Sequence, residues 1–231
     1  MSDAPRPCDT HLDLVGFKYS LPHLAQSLES QRKTRIVAIG SSSTAGADGI
    51  VPFPSRLELL LRQRSCGTMI DVINRGIGGQ EAPDELSRFE SDAIAEAPAL
   101  VIWQVGTNAV YRTQDYNFDD VAKAIAAGLD RLASLPIDVV LMDLQYTREL
   151  VELPGKLELS EQMEQLISAA AEKAKVNLFR RWALMQRWCL KDDVPLPDLD
   201  DGGKLHMSDW ATNCVTKALD EAIAGAPPPT T

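Results

Sequence analysis

The sequence predicts an α/β protein, a parallel sheet of about five strands with helices on both faces. Three observations carry this. Short apolar runs rich in β-branched residues recur at residues 35–39, 69–73, 100–105, Asp138–Met142 and 176–179. Amphipathic stretches with helical spacing separate them. The first three runs end in Gly40-Ser41, Asn74 and Gly106, residues suited to strand-to-helix turns.

Taken in order, residues 1–33 read as an N-terminal arm packed on the body. Leu21, Leu24 and Leu28 within it have near-helical spacing. The domain proper spans residues 34–225. Its first strand, 35–39, leads into a turn rich in serine. A helix over 55–64 is entered through Pro52 and Pro54. After the second strand, 83–95 reads as a helix with acidic residues in its first turn. The third strand, 100–105, is apolar throughout and is expected to be buried on both faces. Phe118–Ala133 places Val121, Ile125, Leu129 and Leu132 on one stripe. The fourth strand is followed by a helix over 159–174, the fifth by a helix over 180–190. Residues 192–204 carry Pro, Asp and Gly and read as a loop. The last helix covers Asp209–Ala224, and residues 226–231 are expected to be a flexible tail.

Composition narrows the function classes. A 231-residue chain is long enough for one α/β domain with a full core. The net charge of −10 argues against nucleic acid or an anionic membrane surface as the main partner. No apolar run approaches the roughly 20 residues that span a bilayer. The start, Met1-Ser2-Asp3-Ala4-Pro5, is not that of a signal peptide. Cys8, Cys66, Cys189 and Cys214 are scattered without C-x-x-C or metal-ligand spacing, so no structural metal is expected. Reduced thiols in a cytoplasmic chain are the expectation. No cofactor is implied, and oligomeric state is not readable.

The chemistry gathers at the predicted strand ends. Gly40-Ser41-Ser42-Ser43-Thr44-Ala45-Gly46 follows the first strand, and Asn74-Arg75-Gly76-Ile77-Gly78-Gly79-Gln80 the second. Gly106-Thr107-Asn108 follows the third, and His206 comes late, within Asp200-Asp201-Gly202-Gly203-Lys204-Leu205-His206. In a parallel sheet the C-terminal loops of different strands open on one crevice. Acyl transfer through a serine needs a base, a group that orients the base, and donors aimed at the oxyanion. A glycine lets a backbone N–H approach a ligand, and an asparagine amide donates without ionising. His206 is the only histidine outside the arm, which holds His11 and His23.

In this order of motifs, over residues 34–224, the chain resembles the SGNH/GDSL hydrolases. The resemblance implies a flavodoxin-like three-layer α/β/α sandwich and a serine esterase acting on a small-molecule ester. By position it makes Ser42 the nucleophile and His206 the general base. The oxyanion donors would be the N–H groups of Ser42 and Gly79 and the side chain of Asn108. Two positions depart from the family pattern. Ser41 stands where the family has a structural aspartate. Gly203 stands where the orienting aspartate precedes the histidine by three. Asp201, five before His206, is the expected orienting carboxylate. Asp200 and a Ser–His dyad assisted by a backbone carbonyl are the alternatives.

Bland readings stand beside these. Ser42 is one hydroxyl among several in a turn, Asn108 could cap a helix, and Gly76 and Gly78 read as turn glycines. Asp143, Gln145, Tyr146 and Arg148 reach the crevice edge, where a substrate contact and a structural role are equally expected. Trp103 reads as core, and Trp210 as packing for the last helix. The leading function is hydrolysis of short-chain, acetyl-like esters, with carbohydrates as a candidate class. A long-chain lipase would require an apolar lid that the sequence lacks. An acyltransferase with the same residues, a non-catalytic ligand-binding protein and a phosphate-binding flavodoxin-like protein are the competing readings.

Overall fold

A computed structural model describes residues 6–30, 32–47, 49–65 and 68–229. Five strands form one sheet: β1 (Lys33–Gly40), β2 (Met69–Gly76), β3 (Leu100–Gln104), β4 (Asp138–Met142) and β5 (Asn177–Phe179). Their order is β2-β1-β3-β4-β5, and every pairing is parallel. This is the flavodoxin-like order, and its switch point lies between β1 and β3, where such sheets bind ligands beyond the strand ends. All residues of β3 and β4 are buried, as expected for strands covered on both sides.

The helices are α1 (Leu12–Val15), α2 (Pro22–Ser30), α3 (Ser42–Ala45), α4 (Phe53–Arg64), α5 (Ala82–Ser87), α6 (Phe89–Asp92) and α7 (Thr107–Tyr111). They continue with α8 (Phe118–Ala133), α9 (Arg148–Val151), α10 (Lys156–Ala174), α11 (Arg181–Lys191), α12 (Leu196–Leu199) and α13 (Asp209–Ala224). In one group α4 packs on α13 and β2; in the other, α8 packs on α5 and α10. Helix α8 shows how local sequence sets an element. The Asn117 side chain accepts the N–H groups of Asp119 and Asp120, and Val121, Ile125, Leu129 and Leu132 turn inward. Among the described residues no helix is long and apolar enough to cross a membrane.

Three local expectations are corrected. Strand β2 runs on through Gly76, which pairs with Gly40, so the loop after it starts later than predicted. A Cβ at Gly76 would sit 2.1 Å from the Ala45 nitrogen, so only glycine lets β2 lie this close to the turn after β1. The helix expected over 83–95 is broken into α5, α6 and a 3-10 turn at Ile94–Glu96. The break falls at Arg88, which has non-helical backbone angles. Its guanidinium donates to the Arg75 carbonyl, the Gln80 side chain and Asp92. The loop expected over 192–204 contains the single turn α12.

The arm is built into the core, where Val15, Phe17, Leu21 and Leu24 join the main cluster. The Asn177 side chain at the start of β5 accepts the N–H groups of Lys18 and Tyr19 at 3.0 and 2.9 Å. Residues 226–229, the described part of the expected tail, border a groove with Leu28 and Leu61.

The reduced-thiol expectation is corrected at two positions, because Cys8 and Cys214 form a disulfide. The arm lies across α13, so cysteines 206 residues apart in sequence become neighbours. Cys189 is free, and Cys66 lies outside the described residues. The thiols therefore no longer argue for a cytoplasmic chain. Cross-linking across so long a loop restricts the unfolded chain. Reduction, or Cys8→Ser, is expected to cost on the order of 2–4 kcal/mol in urea unfolding. Coincident oxidised and reduced unfolding curves would contradict this.

Candidate active site

Four chain segments meet beyond the C-terminal ends of β2, β1 and β3. Ser41 caps α3, and its N–H and Oγ–H both donate to Oε1 of the buried Gln104, at 3.0 and 2.9 Å. The serine at the family's aspartate position thus donates where a carboxylate would accept, and Gln104 is the complementary acceptor. The next residue, Ser42, begins α3. Its Oγ lies 3.0 Å from Nε2 of His206.

His206 is carried by a tight excursion between α12 and α13. Asp200 and Met207 form an antiparallel bridge, and the Asp201 N–H donates to the His206 carbonyl at 3.0 Å. This sets Asp201 opposite His206 across the turn. Its Oδ2 lies 3.5 Å from Nδ1 of His206, and its side chain is only 4% exposed. Oδ1 accepts the Gly203 N–H at 2.8 Å. Two extra residues are absorbed by left-handed backbone at Gly202 (φ 88°) and Lys204 (φ 70°), with Gly203 outside that region. Asp200 faces elsewhere, with its carboxylate gripped by Arg148 Nε and Nη2 at 2.7 and 2.6 Å. Burial works against the Asp200 charge, but the guanidinium outweighs it and holds the carboxyl below its ordinary range.

The expected oxyanion donors border the same serine. A Cβ on Gly78 would lie 3.9 Å from Cβ of Ser42, and Gly79 follows with φ 82°. Neither the Ser42 N–H nor the Gly79 N–H donates to another described residue. Asn108 is buried in α7. Its Nδ2 gives one hydrogen to the Gln80 carbonyl at 2.8 Å, which leaves the second for a ligand.

Several residues that sequence reasoning did not single out hold these groups. The Glu81 carboxylate accepts the N–H groups of Gly106, Ala109 and Ala82 at 2.7, 2.9 and 3.0 Å. It thereby ties the Gly79 loop to the Asn108 loop. Burial raises its carboxyl above the ordinary range, and these backbone donors offset only part of that rise. Beneath it, burial and then the Glu81 charge push the Glu85 carboxyl well above its ordinary range, while Trp103 Nε1 donates to it at 2.7 Å. The Tyr116 hydroxyl lies 2.8 Å from both the Gly79 carbonyl and Asp84. No short-range pattern announces these residues, because their partners lie far away in sequence.

Gln145 touches three of the four segments. Its Oε1 accepts the hydroxyls of Ser43 and Thr107 at 3.1 and 3.0 Å, and its Nε2 donates to the Leu205 carbonyl at 3.1 Å. Each partner adjoins a candidate site residue: Ser42, Asn108 and His206. Gln145 and its neighbours Asp143 and Tyr146 are buried, which favours the structural one of the two roles expected for them. Asp143 instead accepts the Trp182 N–H at the start of α11, and burial pushes its carboxyl up to about 7. Arg148 is committed to Asp200. Gln145→Leu is expected to lower kcat by about ten- to a hundredfold through misplacement of the site. Steady-state kinetics with unchanged kcat would exclude this role.

A serine–histidine–aspartate line beside three open donors, set at the switch point of a parallel sheet, is the arrangement of a serine-hydrolase type of architecture. Residues 7–226 match the Non-GDSL lipase-like family, and the chain belongs to that family. The turn after β1 reads Gly-Ser-Ser-Ser where a GDSL motif would stand. No curated protein matches the chain. Among solved structures it is similar to the acetylxylan esterase Axe2 of Geobacillus stearothermophilus. In a catalytic mutant of that enzyme the TM-score is 0.72 at 18% identity, covering 85% of this chain and 97% of the other. It is also similar to LAE5, an alpha/beta hydrolase enzyme from the metagenome of Lake Arreo, Spain. There the TM-score is 0.71 at 18% identity, covering 84% of this chain and 97% of the other. Catalytic mutants of Axe2 replace a serine, an aspartate and a histidine by alanine.

Proposed function

We propose that this protein is a serine-dependent carboxylic ester hydrolase that removes short, acetyl-like acyl groups, with acylated carbohydrates as its substrate class. The observation that carries this reading is the 3.0 Å contact between Ser42 Oγ and His206 Nε2, with Asp201 across the ring at Nδ1. The fold shared with Axe2, an acetylxylan esterase, supports the choice of acyl group and carbohydrate.

In this mechanism His206 Nε2 takes the Ser42 proton as Oγ attacks the ester carbonyl. The carbonyl oxygen gains charge and accepts hydrogen bonds from the Ser42 and Gly79 N–H groups and Asn108 Nδ2. Asp201 holds the imidazole with Nδ1 protonated and stabilises the imidazolium. The tetrahedral intermediate collapses, its C–O bond to the alcohol breaks, and His206 protonates the departing oxygen. Water, deprotonated by the same His206, then attacks the acyl-Ser42 ester; the bond from the acyl carbon to Oγ breaks, His206 returns the proton to Ser42, and the carboxylic acid leaves.

The test is a series of p-nitrophenyl esters from acetate to octanoate, together with acetate release from acetylated xylo-oligosaccharides. Highest kcat/KM on acetate and measurable acetate release are expected. Absence of turnover on every ester, or a preference for octanoate, would overturn the proposal.

A further inference from the structure

Arg112 stands next to the candidate oxyanion site, with its guanidinium beside Gly79. It closes α7 one turn after Asn108, and its N–H donates to the Asn108 carbonyl at 2.8 Å. The guanidinium lies over the Gly79 backbone. A Cβ built on Gly79 would meet Nη1 at 3.1 Å, Nη2 at 3.5 Å and Cζ at 3.6 Å. Without a side chain, Gly79 lets the guanidinium lie this close to its backbone.

Most arginines of the described chain are held by carboxylates, as Arg88 is by Asp92 and Arg148 by Asp200. Arg112 is half-buried, yet its guanidinium forms no hydrogen bond or ion pair with any described residue. The acidic groups that flank the Gly79 loop are engaged elsewhere. Asp84 accepts from Tyr116 and the Glu81 N–H, and Glu81 from three backbone donors. In a chain of net charge −10, an unpaired cation at this place is not explained by packing. A guanidinium presents a planar fork of donors that matches a carboxylate.

We infer that Arg112 binds a carboxylate on the substrate, so that the preferred esters are acidic ones, such as an acylated sugar acid. This rests on the esterase reading of the same site. The carboxylate can belong to the alcohol part or to the acyl part of the ester, and the test separates the two.

The experiment compares wild type with Arg112→Gln and Arg112→Lys on three esters. These are neutral p-nitrophenyl acetate, 4-acetoxybenzoate with its carboxylate on the alcohol side, and mono-p-nitrophenyl succinate with its carboxylate on the acyl side. The readout is the ratio of kcat/KM on each acidic ester to that on the neutral one. In Arg112→Gln the ratio is expected to fall roughly ten- to a hundredfold for one acidic ester, through KM. Arg112→Lys should recover part of it, and added salt should weaken the wild-type preference. An unchanged ratio for both acidic esters overturns the inference, even if kcat falls equally on all three. Turnover that survives Ser42→Ala would instead remove the esterase reading, which keeps the two failures distinct.

Discussion

Replacing Ser42 by alanine is expected to lower kcat on p-nitrophenyl acetate by roughly ten-thousandfold or more. The substitution deletes the atom that would form the acyl-enzyme and leaves its surroundings in place. Ser41 still donates to Gln104 from its N–H and its hydroxyl, and Gly76 still packs against Ala45. The melting temperature should therefore move little, and residual turnover should reflect only the oxyanion donors and substrate binding. The covalent step has its own signature. Wild type should be labelled once by a fluorophosphonate, as read by intact mass, and Ser42→Ala should not be labelled. Labelling that shifts to Ser41 or Ser43 would move the nucleophile within the turn.

The second large effect separates two adjacent aspartates. Asp201→Asn is expected to lower kcat by roughly a thousand- to ten-thousandfold with little loss of stability. An amide can present its NH2 to Nδ1 and so favour the tautomer in which Nε2 carries the proton and cannot accept one from Ser42. Asp200→Asn should do the reverse. It breaks the paired contact with Arg148 and leaves a neutral amide where that guanidinium gripped a carboxylate. Its first symptom is a lower melting temperature, and its kcat should be largely preserved below that temperature. Full kcat in Asp201→Asn, together with loss in Asp200→Asn, would transfer the orienting role to Asp200. Full kcat in both would favour a Ser–His dyad.

Much of the fold was legible because its signals are local. The β-branched run from Ile36 to Ile39, the wholly apolar β3 and the capped stripe of α8 each declare an element within a few residues. The limits of that reading are equally physical. Helix α5 ends at Arg88 because the guanidinium is recruited to the β2 loop, a contact that no periodicity announces. Strand β2 continues to Gly76 because β1 pairs with it that far, although Asn74-Arg75-Gly76 looks like a turn. Cys8 and Cys214 read as unrelated thiols until the arm is laid across α13.

The candidate site divides in the same way. The sequence alone determined the residue types and their order: Ser42, Gly79, Asn108 and His206, each in a segment that follows a strand or precedes the last helix. That order was readable because a parallel sheet sends every strand's C-terminal loop to one edge. The tertiary structure decided which aspartate faces the histidine. A five-residue spacing prescribes no contact by itself. The Asp200–Met207 bridge and the left-handed Gly202 and Lys204 turn Asp201 toward His206, while Arg148 claims Asp200. It also decided the parts played by Gln145, Glu81 and Arg112. A hydrogen bond depends on separation in space, and folding alone brings groups tens of residues apart within 3 Å of one another.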